Sequence, residues 1–222
     1  PLRREVARIS YAPGEGRFPA DGSWNAWPGW GVEPKKGSMI PWAKLLDHLF
    51  GSEQPLRRWF IKWLAYPLWR PGAKLFAAPV FVSRAQGAGK SLLGEIVSEI
   101  YGANATTIDE TRLRSDFNEW LVYKQLVVGE EITGTGFDRR RDADSLKHII
   151  TRRDAIVNQK YRPTYTVRDC VNYLLFTNHP DALYLENADR RFAVIDVTAG
   201  VLPSRLVSEV TRWRDKGGAA AL

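Results

Sequence analysis

A loop that bears two glycines joins two apolar segments, and its residue types are those that hold phosphates. It consists of Gln86, Gly87, Ala88, Gly89, Lys90, Ser91 and Leu92. Glycines let consecutive backbone N–H groups curl around a phosphate, and the positive end of a following helix adds to the attraction. Lys90 would reach the β- and γ-phosphates of ATP, and the hydroxyl of Ser91 would ligate Mg²⁺. The loop therefore predicts a site for a nucleoside triphosphate.

The start of this loop departs from the usual phosphate-loop pattern. That pattern has a glycine about six residues before the lysine, and Arg84 stands there in this chain. We expect Gly87, two residues before Gly89, to supply the backbone freedom that the turn needs. An incidental turn is the alternative. The apolar strand predicted before the loop and the helix predicted after it favour the phosphate site.

Two glutamates, Glu130 and Glu131, directly follow a short apolar run. A phosphate loop needs an acidic partner at the end of a neighbouring strand, and this pair fits that place. We expect Glu130 to hold Mg²⁺ through water and Glu131 to polarise the attacking water as a general base. A solvated strand end is the other interpretation of two such residues. The lysine and the serine of the loop favour the catalytic interpretation.

Asn178 follows a further apolar run, residues 173–177. Its amide could sense the γ-phosphate and orient the attacking water. An asparagine that opens a turn before His179 and Pro180 is also common on structural grounds alone. The prediction of a role for Asn178 therefore depends on the phosphate loop and the two glutamates.

Arg190 and Arg191 precede the next predicted strand. Adjacent side chains point in different directions, so only one of the two can serve any single phosphate. An arginine supplied to the γ-phosphate of a neighbouring subunit stabilises transition-state charge. The other arginine is expected to form a surface ion pair with Asp189 or Asp196.

The elements that must position these residues alternate between strand and helix from residue 75 onward. The expected strands are 75–83, 125–128, 155–158, 164–167, 173–177 and 192–197, and the expected helices are 90–101, 142–151 and 204–216, the last with Ser204 as its cap. The third and fourth strands would form a hairpin. This alternation predicts an α/β fold whose mostly parallel central sheet is flanked by helices. We expect residues 75–222 to form this core.

Residues 1–74 are expected to form a small N-terminal region. Residues 1–37 are rich in Gly, Pro and Trp, which indicates extended segments and turns. Tryptophans at this density are more typical of packing than of base stacking. Helices are predicted at residues 41–50 and 55–66, the second ended by Pro67. The side chains that recur at helical spacing and should face the core are Trp59, Phe60, Trp63 and Leu64.

The composition narrows the class of protein. The 222 residues carry a formal charge of +7 with a pI of about 9.6, which favours a polyanionic partner because neutralised phosphates release counterions. Cys170 is the one cysteine, which excludes a disulfide framework and a thiolate metal site. The longest apolar runs fall short of the roughly 20 residues that cross a bilayer. We therefore expect no membrane contact and a cytoplasmic protein.

The order of these motifs resembles the superfamily 3 helicases of viruses and plasmids. The motifs are the glycine loop, Glu130 and Glu131, a hairpin with Gln159, Lys160, Tyr161 and Arg162, then Thr177 and Asn178, and last Arg190 and Arg191. The sequence is most similar to the helicase portion of bacteriophage primase–helicase proteins. Residues 31–34 and 70–72 also look like the segment that precedes the loop in that group. The resemblance covers nearly the whole chain and is strongest over residues 80–197.

This resemblance implies a P-loop NTPase core of the AAA+ type that assembles into a ring, usually a hexamer, with ATP sites between subunits. It also implies translocation on single-stranded DNA in the cytoplasm of a phage-infected or prophage-bearing bacterium, and a covalently linked primase–polymerase domain in the full-length protein. Such rings often need an N-terminal helical collar, and residues 41–66 are the candidates for all or part of one.

Carried over by position, the resemblance also gives roles to single residues. Glu130 and Glu131 resemble the paired glutamates of parvoviral Rep helicases, and Asn178 matches the sensor asparagine. Arg191 stands at the place of the arginine finger, with Arg190 as the second candidate. At the hairpin, Lys160 matches the lysine that grips the DNA backbone, with Tyr161 and Arg162 beside it. Arg152 and Arg153 could also face DNA but are more typical of ordinary exposed charges.

Two other functions remain open at this point. The chain could be an ATP-binding adaptor that oligomerises and binds DNA without motor activity, although a pure binding module needs no general base such as Glu131. It could also be a P-loop kinase, but Lys160 and the two arginines would then have no role. The leading hypothesis is an ATP-dependent DNA helicase module of a phage replication protein.

Overall fold

The computed structural model describes residues 6, 8–132, 139–179 and 189–222, with residues 139–142 described through their backbone. The strands are β1 (Ile9–Ser10), β2 (Trp24–Asn25), β3 (Ala78–Val82), β4 (Ala105–Ile108), β5 (Leu126–Gly129), β6 (Asp154–Val157), β7 (Tyr165–Arg168), β8 (Asn172–Thr177) and β9 (Phe192–Asp196). The α-helices are α1 (Ile40–Phe50), α2 (Gln54–Trp69), α3 (Lys90–Tyr101), α4 (Glu110–Arg114), α5 (Arg139–Thr151) and α6 (Ser204–Asp215).

Five strands form the central sheet in the order β4-β5-β8-β3-β9, and every neighbouring pair is parallel. The strands β3, β5 and β8 are buried along their whole length, because helices cover both faces of such a sheet. On one face Phe81 and Phe176 lie in a core with residues of α1, α2, α3 and α6. On the other face Val80 and Leu175 pack with Leu146 of α5. The predicted α/β fold with a parallel central sheet flanked by helices is confirmed.

The two N-terminal helices pack directly on this sheet. The ring centroids of Phe50 in α1 and Phe60 in α2 lie 5.4 and 5.2 Å from that of Phe81 in β3. Phe60 and Trp63 are buried, as their helical spacing predicts. Residues on both sides of position 74 therefore contribute to one hydrophobic core.

A close crossing of two glycines joins the Trp-rich segment to the end of α3. A Cβ on Gly31 would lie 2.2 Å from the carbonyl oxygen of Glu99, and a Cβ on Gly102 would lie 2.6 Å from the Cα of Gly31. Gly102 also has a φ of 54°, which side chains disfavour. Next to the crossing, the ring centroids of Trp30 and Tyr101 are 5.3 Å apart. The tryptophan thus packs against the core, as expected.

Three predicted helix boundaries are wrong, and one of them is the start of α5, which begins at Arg139 and not at residue 142. The helix α2 continues through Pro67 to Trp69, because a proline so near the helix end removes only one hydrogen bond there. The turn after it is intact, since Arg70 N donates to the carbonyl oxygen of Tyr66 at 2.8 Å. Ser204 is the first residue of α6 and not its cap; Pro203 holds the cap position, and no side chain caps the helix.

Outside the central sheet the strands form two pairs, the parallel pair of β1 and β2 and the pair of β6 and β7. β6 and β7 pair antiparallel, which confirms the predicted hairpin. β4 was not predicted because its residues are mostly half-buried or exposed, and it pairs at the sheet edge beside β5 alone. Among the described residues, no helix has both the length and the apolar character that a membrane span needs.

Candidate functional site

The glycine loop, residues 86–92, lies at the carboxyl end of β3 and leads into α3. Gly89 is the residue before the helix and has a φ of 93°, while Gly87 has a φ of 72°. A Cβ on Gly89 would lie 3.0 Å from Leu202 and 3.2 Å from Leu45, so both the backbone angle and the packing require glycine there. The loop therefore directs the N-terminus of α3 toward the space above the sheet, as an anion site requires.

A serine holds the start of the loop, where Arg84 replaces the usual glycine. Ser83 is fully buried, and its hydroxyl donates to the carbonyl oxygen of Ala85 at 2.7 Å. Its N–H donates to the carbonyl oxygen of Thr177 at 3.1 Å. The side chain of Arg84 is exposed. The turn thus tolerates an arginine because the hydrogen bonds of Ser83 fix the backbone and the arginine points to solvent.

Lys90 is the most informative side chain of the loop. Only 8% of it is exposed, and its Nζ donates to Asn178 Oδ1 at 2.6 Å and to Ser83 Oγ. It forms no ion pair with any described residue. Burial lowers the pKa of this amine, because a charge removed from water is destabilised unless an opposite charge compensates it. Within the described parts of the chain, the charge of this amine is therefore not compensated by a carboxylate.

The sheet order brings the predicted acidic residues to the same place. β8 lies between β3 and β5, so Asn178, at the end of β8, stands between the glycine loop and the two glutamates that follow β5. Glu130 is half-buried and Glu131 is exposed with a φ of 52°. Neither carboxylate forms an ion pair within the described parts of the chain. Both are thus free to bind a cation or a water.

One cavity of about 530 Å³ connects these groups, and we call it the glycine-loop cavity. Among the residues that line it are Gln86, Gly87, Gly89, Lys90, Ser91, Leu92, Glu130, Glu131 and Asn178. Ala88 is buried beneath the loop. The structure therefore brings together the loop, the glutamates and the asparagine that the sequence singled out.

Helix α6 contributes residues to this cavity that the sequence did not reveal. Leu202, before the helix, and Val207, Thr211 and Arg214, within it, line the cavity opposite the loop. The Leu202 N–H donates to the carbonyl oxygen of Gly87 at 2.9 Å. The helix was predicted from its amphipathic pattern, but a pattern does not show which functional segment its polar face meets.

Arg214 is the second cation of the glycine-loop cavity. Its guanidinium contacts Glu95 and lies 3.4 Å from a carboxylate oxygen of Glu99 and 3.1 Å from one of Asp215. Three carboxylates thus hold it, whereas Lys90 has no carboxylate partner in the described ranges. The two cations enter the same space from α6 and α3.

Arg190 and Arg191 lie at the opposite edge of the sheet. Ala78, the first residue of β3, donates its N–H to the carbonyl oxygen of Arg191 at 2.8 Å, which places both arginines at the amino ends of the strands. The Nε of Arg191 is 3.3 Å from Asp189 Oδ1, one of the two partners expected for the second arginine. Arg190 is exposed. Neither residue lines the glycine-loop cavity of its own chain.

The hairpin of β6 and β7 exposes its predicted DNA-binding residues. Lys160, Tyr161 and Arg162 are all exposed in the turn, and Tyr161 is 91% exposed with a φ of 63°. The Nζ of Lys160 lies 5.0 Å from the ring centroid of Tyr161. Arg152, expected to be an ordinary exposed charge, is instead largely buried, and its Nε bonds Asp169 Oδ2 at 2.7 Å.

These features define the class of protein as a parallel α/β protein with a glycine loop at the carboxyl edge of its sheet. Residues 81–191, half of the chain, match DUF5906, a family described as being of unknown function. The chain belongs to that family.

A relative with a described activity is the DNA primase-polymerase of Nitratiruptor phage NrS-1. The two are 28% identical over 170 residues, which cover 74% of this chain and 23% of the phage protein. The chain is therefore homologous to a phage primase-polymerase and spans about a quarter of its length.

Solved structures of the C-terminal region of NrS-1 have the same fold. Two apo structures match with TM-scores of 0.82 and 0.79, at 24% and 23% identity. Each match covers 96% of this chain and 53% of the solved chain. The fold of nearly all of this chain thus recurs in about half of that region.

Proposed function

We propose that this chain is the ATP-dependent DNA helicase module of a phage replication protein, with a P-loop core of the AAA+ and superfamily 3 type. The observation that carries the proposal is Lys90, a buried cation with no carboxylate partner among the described residues, bonded to Asn178 in the cavity that Glu130 and Glu131 also line. A triphosphate would supply the missing negative charge.

The residues around Lys90 divide the chemistry of ATP hydrolysis between them. Lys90 and the loop amides would hold the β- and γ-phosphates. Asn178, already within hydrogen-bonding distance of Lys90, would orient the attacking water, and Glu131 would accept its proton. The exposed carboxylate of Glu131 is accessible to such a water.

Ser91 and Glu130 would hold Mg²⁺, and both line the glycine-loop cavity. Magnesium needs only one or two carboxylates when substrate phosphates complete its coordination, and this donor set fits that rule. When bound, the ion would neutralise charge that develops on the phosphate oxygens.

The remaining parts of the proposal concern DNA and assembly. We propose that Lys160, Tyr161 and Arg162 contact single-stranded DNA, since they are exposed at a hairpin tip. Arg191, or else Arg190, would complete the site of a neighbouring subunit in a ring, because each lies at the edge opposite its own cavity. The homology to a primase-polymerase supports a covalently linked domain of that kind and action in the host cytoplasm.

The test compares ATP hydrolysis and unwinding by the wild-type protein, Lys90→Ala and Lys160→Ala. We expect single-stranded DNA to stimulate hydrolysis by the wild type, and Lys90→Ala to lower hydrolysis on the order of 100-fold or more. Lys160→Ala should keep basal hydrolysis and lose unwinding. Lys62→Ala, which removes an exposed lysine of α2, is the control and should change neither.

Three outcomes would contradict the proposal. ATP hydrolysis that single-stranded DNA does not stimulate would argue against motor activity on DNA. Turnover near zero, with ATP still needed for assembly, would favour the adaptor. Consumption of ATP only in the presence of a small acceptor, by a monomer, would favour a kinase.

A further inference from the structure

A second cavity, of about 260 Å³, lies on the opposite side of the sheet from the glycine loop. Its lining includes Lys74, Phe76, Arg153, Arg168 and Asp169, and we call it the amino-edge cavity. Leu75 N donates to the side-chain oxygen of Asn172, the first residue of β8, at 2.7 Å. This contact places the cavity at the amino ends of the strands, away from the glycine-loop cavity.

The floor of the amino-edge cavity is a buried ionic cluster whose hydrogen bonds are already made. Asp169 is buried and accepts from Lys74 Nζ at 3.2 Å and Arg152 Nε at 2.7 Å. Lys74 also donates to the carbonyl oxygens of Val171 at 2.6 Å and Ile149 at 3.0 Å. All three protons of its ammonium group are thus used. The cluster carries one net positive charge, and its lysine offers no free donor.

The two arginines at the rim of the amino-edge cavity, Arg153 and Arg168, differ from the buried cluster because they are exposed. Arg153 directly precedes β6 and Arg168 ends β7, so both stand at the base of the hairpin, and both are exposed. Asp154 stands opposite Arg168 in the strand register, yet neither arginine forms an ion pair with a described residue. Two guanidinium groups therefore line one polar cavity whose carboxylate, Asp169, is already bound by Lys74 and Arg152.

One exposed aromatic ring, that of Phe76, lies in the same cavity as these cations, and a second, that of Trp69, lies three residues before Gly72 of the cavity lining. Phe76 lines the cavity and is 48% exposed. Trp69, at the end of α2, is 70% exposed, and the guanidinium of Arg70 lies 4.2 Å from its ring centroid. Free guanidinium groups beside exposed aromatic rings are the combination that holds single-stranded nucleic acids, by contacts to phosphates and stacking of bases.

We propose that the amino-edge cavity binds a backbone phosphate of single-stranded DNA through Arg153 and Arg168, with Phe76 beside it to stack an adjacent base. This contact is separate from the hairpin tip, which is about 20 Å away at the rise of an extended strand. It shares its partner with the proposed helicase but needs no nucleotide, so it can fail while ATP hydrolysis by the chain stands.

The test measures binding of a fluorescein-labelled oligothymidine by fluorescence anisotropy, without nucleotide, over a series of salt concentrations. We expect Arg153→Ala/Arg168→Ala to lower affinity on the order of tenfold and to lower the slope of log affinity against log salt by about 0.7, the value for one phosphate of a single strand. Phe76→Leu should lower affinity several-fold and leave the slope unchanged, because stacking releases no counterions.

The control is Arg58→Ala/Arg205→Ala, which removes the same charge from two exposed arginines elsewhere, and thermal melts verify that each variant is folded. Equal losses in the control and the rim variant would overturn the proposal, since net charge alone would then explain them. Failure of the wild-type chain to bind the oligonucleotide at low salt would also overturn it. So would a rim variant that changes the oligomeric state but binds DNA normally, because the face would then be a subunit contact.

Discussion

At the scale of single residues, the two cations of the glycine-loop cavity are held in opposite ways. Lys90 donates to the neutral groups of Ser83 and Asn178 and has no ion-pair partner in the part of the chain that the structure describes, whereas Arg214 lies among three carboxylates. A desolvated cation without a counter-charge attracts an anion strongly, and one within carboxylates is held in position. The first therefore marks where the triphosphate would bind, and the second can approach it from the side.

Arg214 gives a prediction about nucleotide affinity. We expect Arg214→Ala to raise the KM for ATP about tenfold, because a hydrogen bond to a charged group contributes about 1.5 kcal/mol. The value of kcat should change less. The matched control is Arg212→Ala, which removes an exposed arginine from the same helix. Steady-state kinetics at several ATP concentrations check this, and equal effects of the two substitutions would refute a specific role for Arg214.

Motif chemistry made Lys90, Glu130, Glu131 and Asn178 predictable as neighbours, because parallel strands bring their carboxyl ends to one edge. Arg214 could not be found in this way. It occupies an ordinary place in an amphipathic helix, and only the packing of α6 against α3 brings it to the loop. Residues that a motif orders along the chain were therefore predictable, and a residue supplied by a distant element was not.

At the scale of elements, the crossing of Gly31 and Gly102 fixes how the Trp-rich segment meets α3. In sequence, residues 31–34 resemble a segment of the phage helicases, but this resemblance does not predict which part of the fold they contact. The structure supplies a physical reason for the glycine, since a Cβ on Gly31 would overlap the carbonyl group of Glu99. The same helix, α3, begins at Lys90, so this crossing anchors the far end of the element that carries the loop.

This crossing predicts a large difference between two substitutions of glycine by alanine. Gly31→Ala should lower the free energy of unfolding by about 2 kcal/mol or more, because the backbones must separate to admit a methyl group. Gly16→Ala is the control, since a Cβ there meets nothing within 4 Å. Chemical denaturation of both variants measures the effect. Similar free energies of unfolding for the two variants would show that the backbones at the crossing separate at little cost.

Two errors of the sequence-based prediction also concern elements: the end of α2 was misplaced and β4 was not predicted. Pro67 lies inside α2 because only two helical residues follow it and the proline is itself buried. β4 escaped prediction because an edge strand does not need the continuous apolar residues that β5 and β8 show. In both cases tertiary packing decided what local preference left undetermined.

At the scale of the whole molecule, the two edges of the sheet carry different chemistry. The carboxyl edge holds Lys90 and the two glutamates, and the amino edge holds Arg190, Arg191 and the amino-edge cavity. If Arg191 serves the cavity of a neighbour, Lys90→Ala and Arg191→Ala subunits must each be inactive alone. Mixed in equal amounts, they should recover roughly a quarter of wild-type ATP hydrolysis, because about that share of interfaces joins an intact lysine to an intact arginine.

The mixing experiment has a control in the neighbouring residue. Arg190→Ala subunits, if Arg191 is the finger, should hydrolyse ATP without any partner variant. No recovery in the mixture of Lys90→Ala and Arg191→Ala would refute a site shared between subunits. Arg190→Ala subunits that are inactive alone but recover activity when mixed with Lys90→Ala, together with Arg191→Ala subunits that are active alone, would transfer the role to Arg190.

The common direction of the five central strands also restricts the symmetry of any functional assembly. A two-fold axis relates a surface to itself, so it would set amino edge against amino edge and leave every glycine-loop cavity without the Arg190 or Arg191 of a neighbour. Only a heterologous contact, in which one face of each copy meets the other face of the next, can join the two chemistries. Such a contact repeats until it closes on itself, and if the rotation per copy does not close, it continues as a filament.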